Sequence, residues 1–299
     1  MIASMTPEMW KAACGITRTV AGSLSAVASI GFIMYMMVVF RTRFFNLPNV
    51  RFLTYLQLYI LGASLNHILT VYTAYYSDQD WVCITQAFIN QYFSVGFCCW
   101  SLWIAIFMFS TIVLRRLTSK RSILIFEICS HVSTFCITGL LSALPFIGDS
   151  YGNSGKWCWI KSKGTGLILT YAAFYIPWWC GIFIILILYL AVLTKVCMNY
   201  RKVNKFEEKE DERRKSQRIK AYSKLLAYPL MMILIYIIPT INRVTSIFVT
   251  NNDYNDVMTL IHTIMSPLIG FFNVIVYFLN PMAGKNMIYR IQVEGWRKK

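Results

Sequence analysis

The sequence predicts an all-α membrane protein in which seven transmembrane helices form one bundle, and three observations predict this fold. The apolar residues form runs of about 20 residues, the length that a helix needs to cross roughly 30 Å of hydrocarbon. Of the 299 residues, 57% are hydrophobic and only 14% are charged, whereas a typical soluble domain carries about 25% charged residues. Basic residues concentrate in alternate connections. A soluble single-core enzyme, a disulfide-stapled secreted domain and a disordered chain are therefore excluded.

The predicted spans divide the chain into three parts. A short extracellular N-terminus is expected at 1–16, a seven-helix domain at 17–280, and a cytoplasmic amphipathic helix and tail at 281–299. The N-terminal stretch lacks the basic start, short apolar run and cleavage site of a removable signal peptide, so the first span is expected to act as the insertion signal. The seven spans are predicted at 17–40, 51–75, 84–114, 122–147, 166–194, 222–249 and 257–280.

The distribution of basic residues predicts the orientation of the bundle. Lys and Arg residues near span ends are retained on the cytoplasmic side. Of the 29 Lys and Arg residues, 22 lie in the first, third and fifth connections or after the last span. The N-terminus is therefore expected outside and the C-terminus inside. The net charge of +16 follows from this topology and from attraction to anionic membrane lipids, so nucleic acid is not expected as a partner.

Of the nine cysteines, Cys83 and Cys158 are predicted to lie on the outer side, which is oxidising, and apart from Cys14 they are alone on that side. Cys83 begins the third span, and Cys158 lies in the second outer loop. A disulfide between them would hold this loop over the bundle as a lid, and two free thiols are the alternative. The sequence has no metal-ligand spacing such as C-x-x-C, and its three His residues are scattered. Neither a metal site nor a cofactor is expected.

Ionisable side chains inside the bilayer are costly, and those that occur are candidates for function. Arg243 lies about two turns below the outer end of the sixth span. It either faces the bundle and meets an anionic or carbonyl group of a ligand, or extends to the outer headgroups. Polar side chains at His262 in the seventh span, and at Asn66 and His67 in the second, are weaker ligand-binding candidates.

Proline and tryptophan residues mark further positions of interest. Pro229 and Pro239 fall in the predicted sixth span, where each removes a backbone donor and can create a hinge. Such bends suit a switch between two packings, and they also suit a transporter. Trp157 and Trp159 flank Cys158. These indoles are either membrane-interface residues or the lining of a pocket mouth.

The predicted cytoplasmic face is strongly charged. Glu127, near the inner end of the fourth span, is expected to pair with loop cations such as Arg121. Charged residues from 200 to 224 either extend the fifth and sixth spans as helices or form a solvated loop. After Pro281, the pattern predicts a short amphipathic helix on the inner leaflet. Candidate contacts for a cytoplasmic partner are Arg115, Arg116, Arg214, Lys220 and Lys224.

Several motifs together resemble one family of membrane proteins. The second outer loop reads Trp-Cys-Trp-Ile at 157–160, the sixth span carries Tyr-Pro at 228–229 and Thr-Ile-Asn-Arg at 240–243, and the seventh carries His262, Gly270 and Asn273. In this order the chain resembles the cAMP-receptor-like (class E) G-protein-coupled receptors from the first span to Tyr289, with a loop similar to that of the secretin/adhesion group. The third span contributes Cys83, Gln86, Phe93, Trp100 and Ala105.

This resemblance implies a plasma-membrane receptor that converts binding of an extracellular ligand into activation of a heterotrimeric G protein. It does not imply that cAMP is the ligand. The rhodopsin-like Asp-Arg-Tyr triplet is missing, and Asn273 and Tyr277 keep the spacing of the Asn-Pro-x-x-Tyr motif without its proline. Both departures argue against the rhodopsin-like class. Asn273 and Tyr277 remain candidate switch residues beside Pro229 and Pro239.

Two other functions stay open at the level of sequence. A small-solute transporter or channel would need polar residues that continue through the bilayer centre, and the sequence does not show them. A membrane adaptor without a ligand would use the same fold. The sequence contains no P-loop, nucleophile elbow, H-E-x-x-H motif or paired intramembrane carboxylates, so an enzyme is not expected.

Overall fold

The computed structural model describes residues 6–39, 48–73, 81–117, 119–154, 157–161, 163–204, 227–248 and 252–279. They form a bundle of long helices with a two-stranded hairpin at one end, and this end is called the hairpin end below. A 3-10 turn at Leu144–Phe146 and a π-helical turn at Tyr171–Tyr175 interrupt the α-helices. In chain order the elements are α1 (Pro7–Val39), α2 (Pro48–Ile68), α3 (Thr70–Thr73), α4 (Trp81–Ile112), α5 (Lys120–Ala143), β1 (Tyr151–Asn153), β2 (Cys158–Ile160), α6 (Thr165–Thr170), α7 (Ile176–Asn204), α8 (Ala227–Phe248), α9 (Asn252–Met265) and α10 (Ile269–Leu279).

The helices match the predicted spans in order and in approximate length. Within the described residues, 5 helical segments are long and apolar enough to cross a membrane. The segments 255–265 and 269–279 form a further span that is bent by 49°. In α8 the apolar segment 231–246 is shorter than these, although the whole helix of 22 residues extends about 33 Å.

The first helix begins ten residues earlier than the sequence predicts. Helix α1 starts at Pro7 and runs for 33 residues, and proline is well suited to the first turn of a helix because that turn needs no backbone donor. Trp10 and Cys14 are buried, so the additional turns pack against the bundle. As a consequence Arg18 lies about three turns inside the helix rather than at its end.

Glycines allow α2 and α4 to approach closely. A Cβ atom at Gly62 would lie 2.4 Å from the ring of Phe93, and one at Gly96 would lie 2.1 Å from the ring of Tyr59. Each helix therefore places an aromatic ring on a glycine of the other. In membranes, such small residues let helix backbones pack tightly when no hydrophobic effect drives them together.

Small polar residues line the buried face of α5. Their side chains are fully inaccessible to solvent. The hydroxyl-bearing residues are spaced four positions apart and lie on the helix side that packs against α4. The spacing places them on one face because residues at i and i+4 lie one above the other. These residues are Ser130, Thr134, Thr138 and Ser142.

The carboxylate of Glu127 pairs with Arg51, so the predicted pairing with Arg121 is wrong. Nε of Arg51 donates to the two oxygens of Glu127 at 2.8 and 3.2 Å, and the hydroxyl of Tyr55 donates to Oε1 at 2.9 Å. Glu127 lies on the buried face of α5, which turns it towards α2, whereas Arg121 is exposed. The ion pair therefore joins two helices instead of a helix and a loop.

The hairpin is held to the bundle by a disulfide. Strands β1 and β2 are antiparallel, with Asn153 opposite Cys158. Cys83 at the start of α4 is bonded to Cys158, which confirms the predicted pairing. The hydroxyl of Tyr151 donates to the carbonyl of Ser142 at 2.8 Å, and burial raises the pKa of Tyr151, so the hydroxyl keeps its proton. The hairpin is thereby fixed to α4 and α5.

Some predictions fall on residues outside the described ranges. They are the amphipathic segment at 282–296, the tail at 281–299 and the candidate contacts Arg214, Lys220 and Lys224. The backbone of Pro229 lies in the first turn of α8, and its predicted role as a hinge stays a prediction.

Candidate functional site

A polar pocket lies beneath the hairpin, where α1, α2, α4, α8 and α9 converge with the π-helical turn at Tyr171–Tyr175. Its free volume is about 30 Å³. Two indoles from the hairpin, Trp157 and Trp159, form part of its wall, and each is only 4% exposed. Both indoles therefore belong to a pocket rather than to the membrane interface.

Arg18 contributes a buried guanidinium to the pocket. The side chain is 4% exposed, and its Nε donates to Nδ1 of His67 at 3.1 Å. This bond requires an unprotonated Nδ1 on the imidazole. Within the described residues, no acceptor reaches the buried Nη1 of Arg18. The pocket thus holds a guanidinium that has unused hydrogen-bonding capacity.

Arg243 lies across the indoles from this cavity. Its Cζ is 5.3 Å from the ring centroid of Trp157 and 5.3 Å from that of Trp159. The guanidinium also interacts with the hydroxyl of Tyr175. Arg243 therefore faces the interior of the bundle, and the alternative in which it extends to the headgroups is wrong.

The electrostatic character of the pocket is positive. Arg18 and Arg243 are close enough to act on each other electrostatically. Among the described residues, no carboxylate lines the cavity. Burial of a charge is costly unless a counter-charge or several hydrogen bonds compensate it, and an anion in the pocket would provide such compensation.

Neutral polar groups complete the pocket. His262 is buried, and its Nδ1 lies 3.2 Å from Nδ2 of Asn242, which links α8 to α9. In the part of the chain that the structure describes, the buried Oδ1 of Asn90 and Oγ of Ser266 have no hydrogen-bond partner, and both residues line the cavity. Buried polar atoms are usually hydrogen-bonded, so these two groups can form further hydrogen bonds inside the pocket.

Hydrogen bonds hold the π-helical turn that precedes α7 against α4 and α8. Nε1 of Trp159 donates to Oε1 of Gln91 at 3.0 Å, and Nε2 of Gln91 donates to the carbonyl of Ala173 in the π-helical turn at 3.0 Å. The hydroxyl of Tyr175 in the same turn donates to the carbonyl of Pro239 at 3.3 Å. A π-helical turn often occurs at a functional site, and here it connects the hairpin to the proline of α8.

One sequence-predicted position, Asn66, needs correction, and one residue of the pocket, Arg18, was not predicted. Asn66 does not line the cavity. Its Nδ2 donates to the backbone carbonyl of Gln86 at 3.2 Å, and Nε2 of Gln86 donates to the backbone carbonyl of Asn66 at 3.1 Å. This amide joins α2 to α4. Arg18 was missed because the predicted start at residue 17 placed it at the edge of the membrane. A first span that begins before residue 17 places Arg18 inside the bilayer, and an ionisable residue at that depth is a candidate for function.

A second cavity opens at the end of the bundle opposite the hairpin. It has a volume of about 190 Å³, and its mostly apolar walls come from α2, α4, α7, α8 and α10. Asn273 and Tyr277 line it, and the Tyr277 ring packs edge-on against Phe32 at 4.8 Å. Arg115 and Arg116 follow α4 at this end and are exposed.

The arrangement of helices, tethered hairpin and buried pocket is that of the G-protein-coupled receptors. The crystal structure of squid rhodopsin is similar, with a TM-score of 0.68 and 14% sequence identity, over 98% of this chain and 87% of that chain. At this identity the likeness establishes the fold. No curated protein matches the sequence.

Residues 17–292 match the slime mold cyclic AMP receptor family, so the chain belongs to that family. It is a G-protein-coupled receptor that crosses the plasma membrane several times, and its family and fold are those of a receptor rather than an enzyme. The resemblance seen in the sequence is confirmed. The alternative of a small-solute transporter or channel has no support in these comparisons.

Proposed function

We propose that the pocket beneath the hairpin binds an anionic extracellular ligand and that the opposite end of the bundle activates a heterotrimeric G protein. The observation that carries this proposal is the buried guanidinium of Arg18, whose Nη1 has no acceptor among the described residues, in a pocket without a lining carboxylate. The proposal places the hairpin end outside the cell. That orientation agrees with the distribution of Lys and Arg residues.

An anion would bind here by charge-assisted hydrogen bonds. Such bonds are about twice as strong as neutral ones, and guanidinium groups match phosphate and carboxylate oxygens particularly well. The family name makes cyclic AMP the first ligand to test. Its cyclic phosphate would meet Arg18 and Arg243, and its purine would lie against the indole of Trp159.

Ligand binding would reach the opposite end through α8. Arg243 and Pro239 lie in the half of this helix near the hairpin, while Met232 of the same helix lines the opposite cavity. A ligand that draws Arg243 inward would therefore bias the bend at Pro239 and the width of that cavity. Only a difference in ligand affinity between the two packings can shift their equilibrium.

The G protein would dock at the opposite cavity. Its apolar walls suit the insertion of an amphipathic helix, and the exposed Arg115 and Arg116 stand beside it. Asn273 and Tyr277 lie at the wall of this cavity. We propose them as switch residues because any movement of α8 or α10 changes their contacts directly.

The test combines ligand binding with nucleotide exchange on purified G proteins. Membranes that contain the receptor are titrated with labelled cyclic AMP and with a panel of other nucleotides and carboxylates. Arg18→Gln and Arg243→Gln are each expected to weaken binding by about 10- to 100-fold, since each removes charged hydrogen bonds. Lys163→Gln, which neutralises an exposed cation near the hairpin, is the matched control and should leave binding unchanged. Agonism by a neutral or cationic ligand that is insensitive to both arginine variants would overturn the proposal.

A further inference from the structure

We propose that Trp157 is an internal competitor for the ligand: its indole occupies the space between Arg18, Arg243 and His262, and a ligand must displace it to bind. The inference rests on the proposed function in one respect, that the pocket is the ligand site. It adds that the free receptor is closed by its own side chain and that displacement of this side chain controls access.

The first argument is the position of the indole. The Cζ of Arg18 lies 4.8 Å from the ring centroid of Trp157, and that of Arg243 lies 5.3 Å from it. The ring of His262 meets the indole edge-on at 5.1 Å. Two guanidinium groups and one imidazole, from α1, α8 and α9, therefore converge on one aromatic ring. A ring face is electron-rich and attracts cations, so the indole partly replaces the anion that the guanidinium groups favour.

The second argument is volume. The free space in the pocket is about 30 Å³, whereas a cavity that holds benzene measures roughly 150 Å³. An organic ligand therefore needs more room than the free pocket offers. Trp157 contacts both guanidinium groups and the imidazole of His262, and it is 4% exposed. Its removal would open the pocket where the positive charge is concentrated.

The third argument is the difference between the two indoles of the hairpin. Trp159 lies within β2, pairs with Gly152 and donates through Nε1 to Gln91. Trp157 precedes the paired strand, and its carbonyl accepts from the backbone N–H of Ser154 at 2.9 Å. The disulfide at Cys158 fixes the hairpin immediately after it. Since these contacts hold the backbone of Trp157, its indole would leave the pocket by rotation of the side chain, while Trp159 and the disulfide stay in place.

An anion would win this competition because its hydrogen bonds to a guanidinium are stronger than the attraction between the guanidinium and a ring. The indole would keep water and weak binders out, and only a ligand with enough charge would displace it. Trp157→Ala should therefore make the pocket more accessible. If the indole were only a ligand contact, the same substitution would weaken binding and leave access unchanged.

The test measures access without any receptor ligand or G protein. Ser94 lines the pocket, and Ser94→Cys provides a reporter for the anionic thiol reagent 2-sulfonatoethyl methanethiosulfonate. The thiolate displaces a sulfinate and forms a mixed disulfide, and the rate reports how readily an anion enters. Labelling of the parent receptor, which keeps its other free cysteines, is subtracted.

Trp157→Ala is expected to raise the labelling rate of Ser94→Cys at least tenfold, and Trp157→Phe, which keeps a smaller ring, should give an intermediate rise. The matched control is Trp81→Ala, which removes an indole that is 75% exposed near the same end of the bundle and should not change the rate. The labelling rate with a cationic methanethiosulfonate should rise much less, because the opened pocket is positively charged. If the alanine variant fails to reach the membrane, the phenylalanine variant decides the question.

Equal labelling rates in the Trp157 variants and the parent would overturn the inference. An equal rise in the labelling rate with the anionic and the cationic reagent would also overturn it, since the opened pocket would then not favour anions over cations. A failure of cyclic AMP to bind would count against that ligand under the proposed function, and it would leave the labelling result intact. The two claims can therefore fail separately.

Discussion

Arg18 on α1 donates a hydrogen bond from Nε to Nδ1 of His67 on α2, over a distance of 3.1 Å and 49 residues of sequence. Both side chains are buried. The bond aims the guanidinium at the pocket and fixes the imidazole as an acceptor at Nδ1. It is the contact that ties the first helix to the polar pocket beneath the hairpin.

His67→Phe should destabilise the receptor by about 1–3 kcal/mol, because Arg18 loses the acceptor that partly compensates its burial. The measurement is thermal unfolding of the purified receptor in detergent. His131→Phe is the control, since His131 is exposed on α5 and its replacement keeps an aromatic ring. Equal stability of the two variants would show that the contact with Arg18 has no energetic importance.

Cys158→Ser should cost about 2–5 kcal/mol of stability, because the disulfide closes a long loop, with 75 residues of sequence separation. The hairpin would detach from α4, and ligand binding should be lost. Denaturant unfolding and ligand titration measure the two effects. Cys129→Ser, at an exposed free thiol, should change neither, and normal binding by Cys158→Ser would contradict the role of the tether.

Gly96→Ala should destabilise the bundle by about 1–3 kcal/mol, because the added methyl would lie 2.1 Å from the ring of Tyr59 and force α2 and α4 apart. Gly139→Ala on α5 meets no atom within 4 Å and should be neutral or slightly stabilising, since alanine favours helix more than glycine does. Thermal unfolding of both variants separates crowding from helix propensity. A destabilisation of the same size in both would refute the packing argument.

Replacing either member of the Arg51–Glu127 pair should lower the free energy of unfolding by about 3 kcal/mol, because the remaining charge stays partly buried without a counter-charge. The side chains are only 13% and 10% exposed. The double variant Arg51→Met/Glu127→Met should lose less than the sum of the single changes, and a double-mutant cycle measures this difference. Arg121→Ala should have no effect. A large effect of that control would restore the pairing that the sequence suggested.

The order of the spans and the disulfide could be predicted because both depend on local or pairwise features of the sequence. A bilayer-crossing helix satisfies its own backbone hydrogen bonds, so an apolar run identifies it without knowledge of its neighbours. Cys83 and Cys158 could be paired because the predicted topology puts both residues on the outer side of the membrane. The partner of Glu127 and the position of Asn66 could not be obtained in this way, since each depends on which helix lies opposite.

The class of fold and the order of the membrane-spanning helices follow from local patterns in the sequence, because the low dielectric of a bilayer restricts each segment separately. The cysteine pair follows from the predicted location of both residues on the outer side. The packing of the helices brings Arg18, His67 and Trp157 together in one pocket, with Arg243 against the indole of Trp157. Successive side chains on a helix point about 100° apart, so their meeting depends on where each helix begins and how it is rotated against its neighbours. That rotation results from many packing contacts at once, such as the aromatic rings on Gly62 and Gly96, and a pattern within one segment does not contain it.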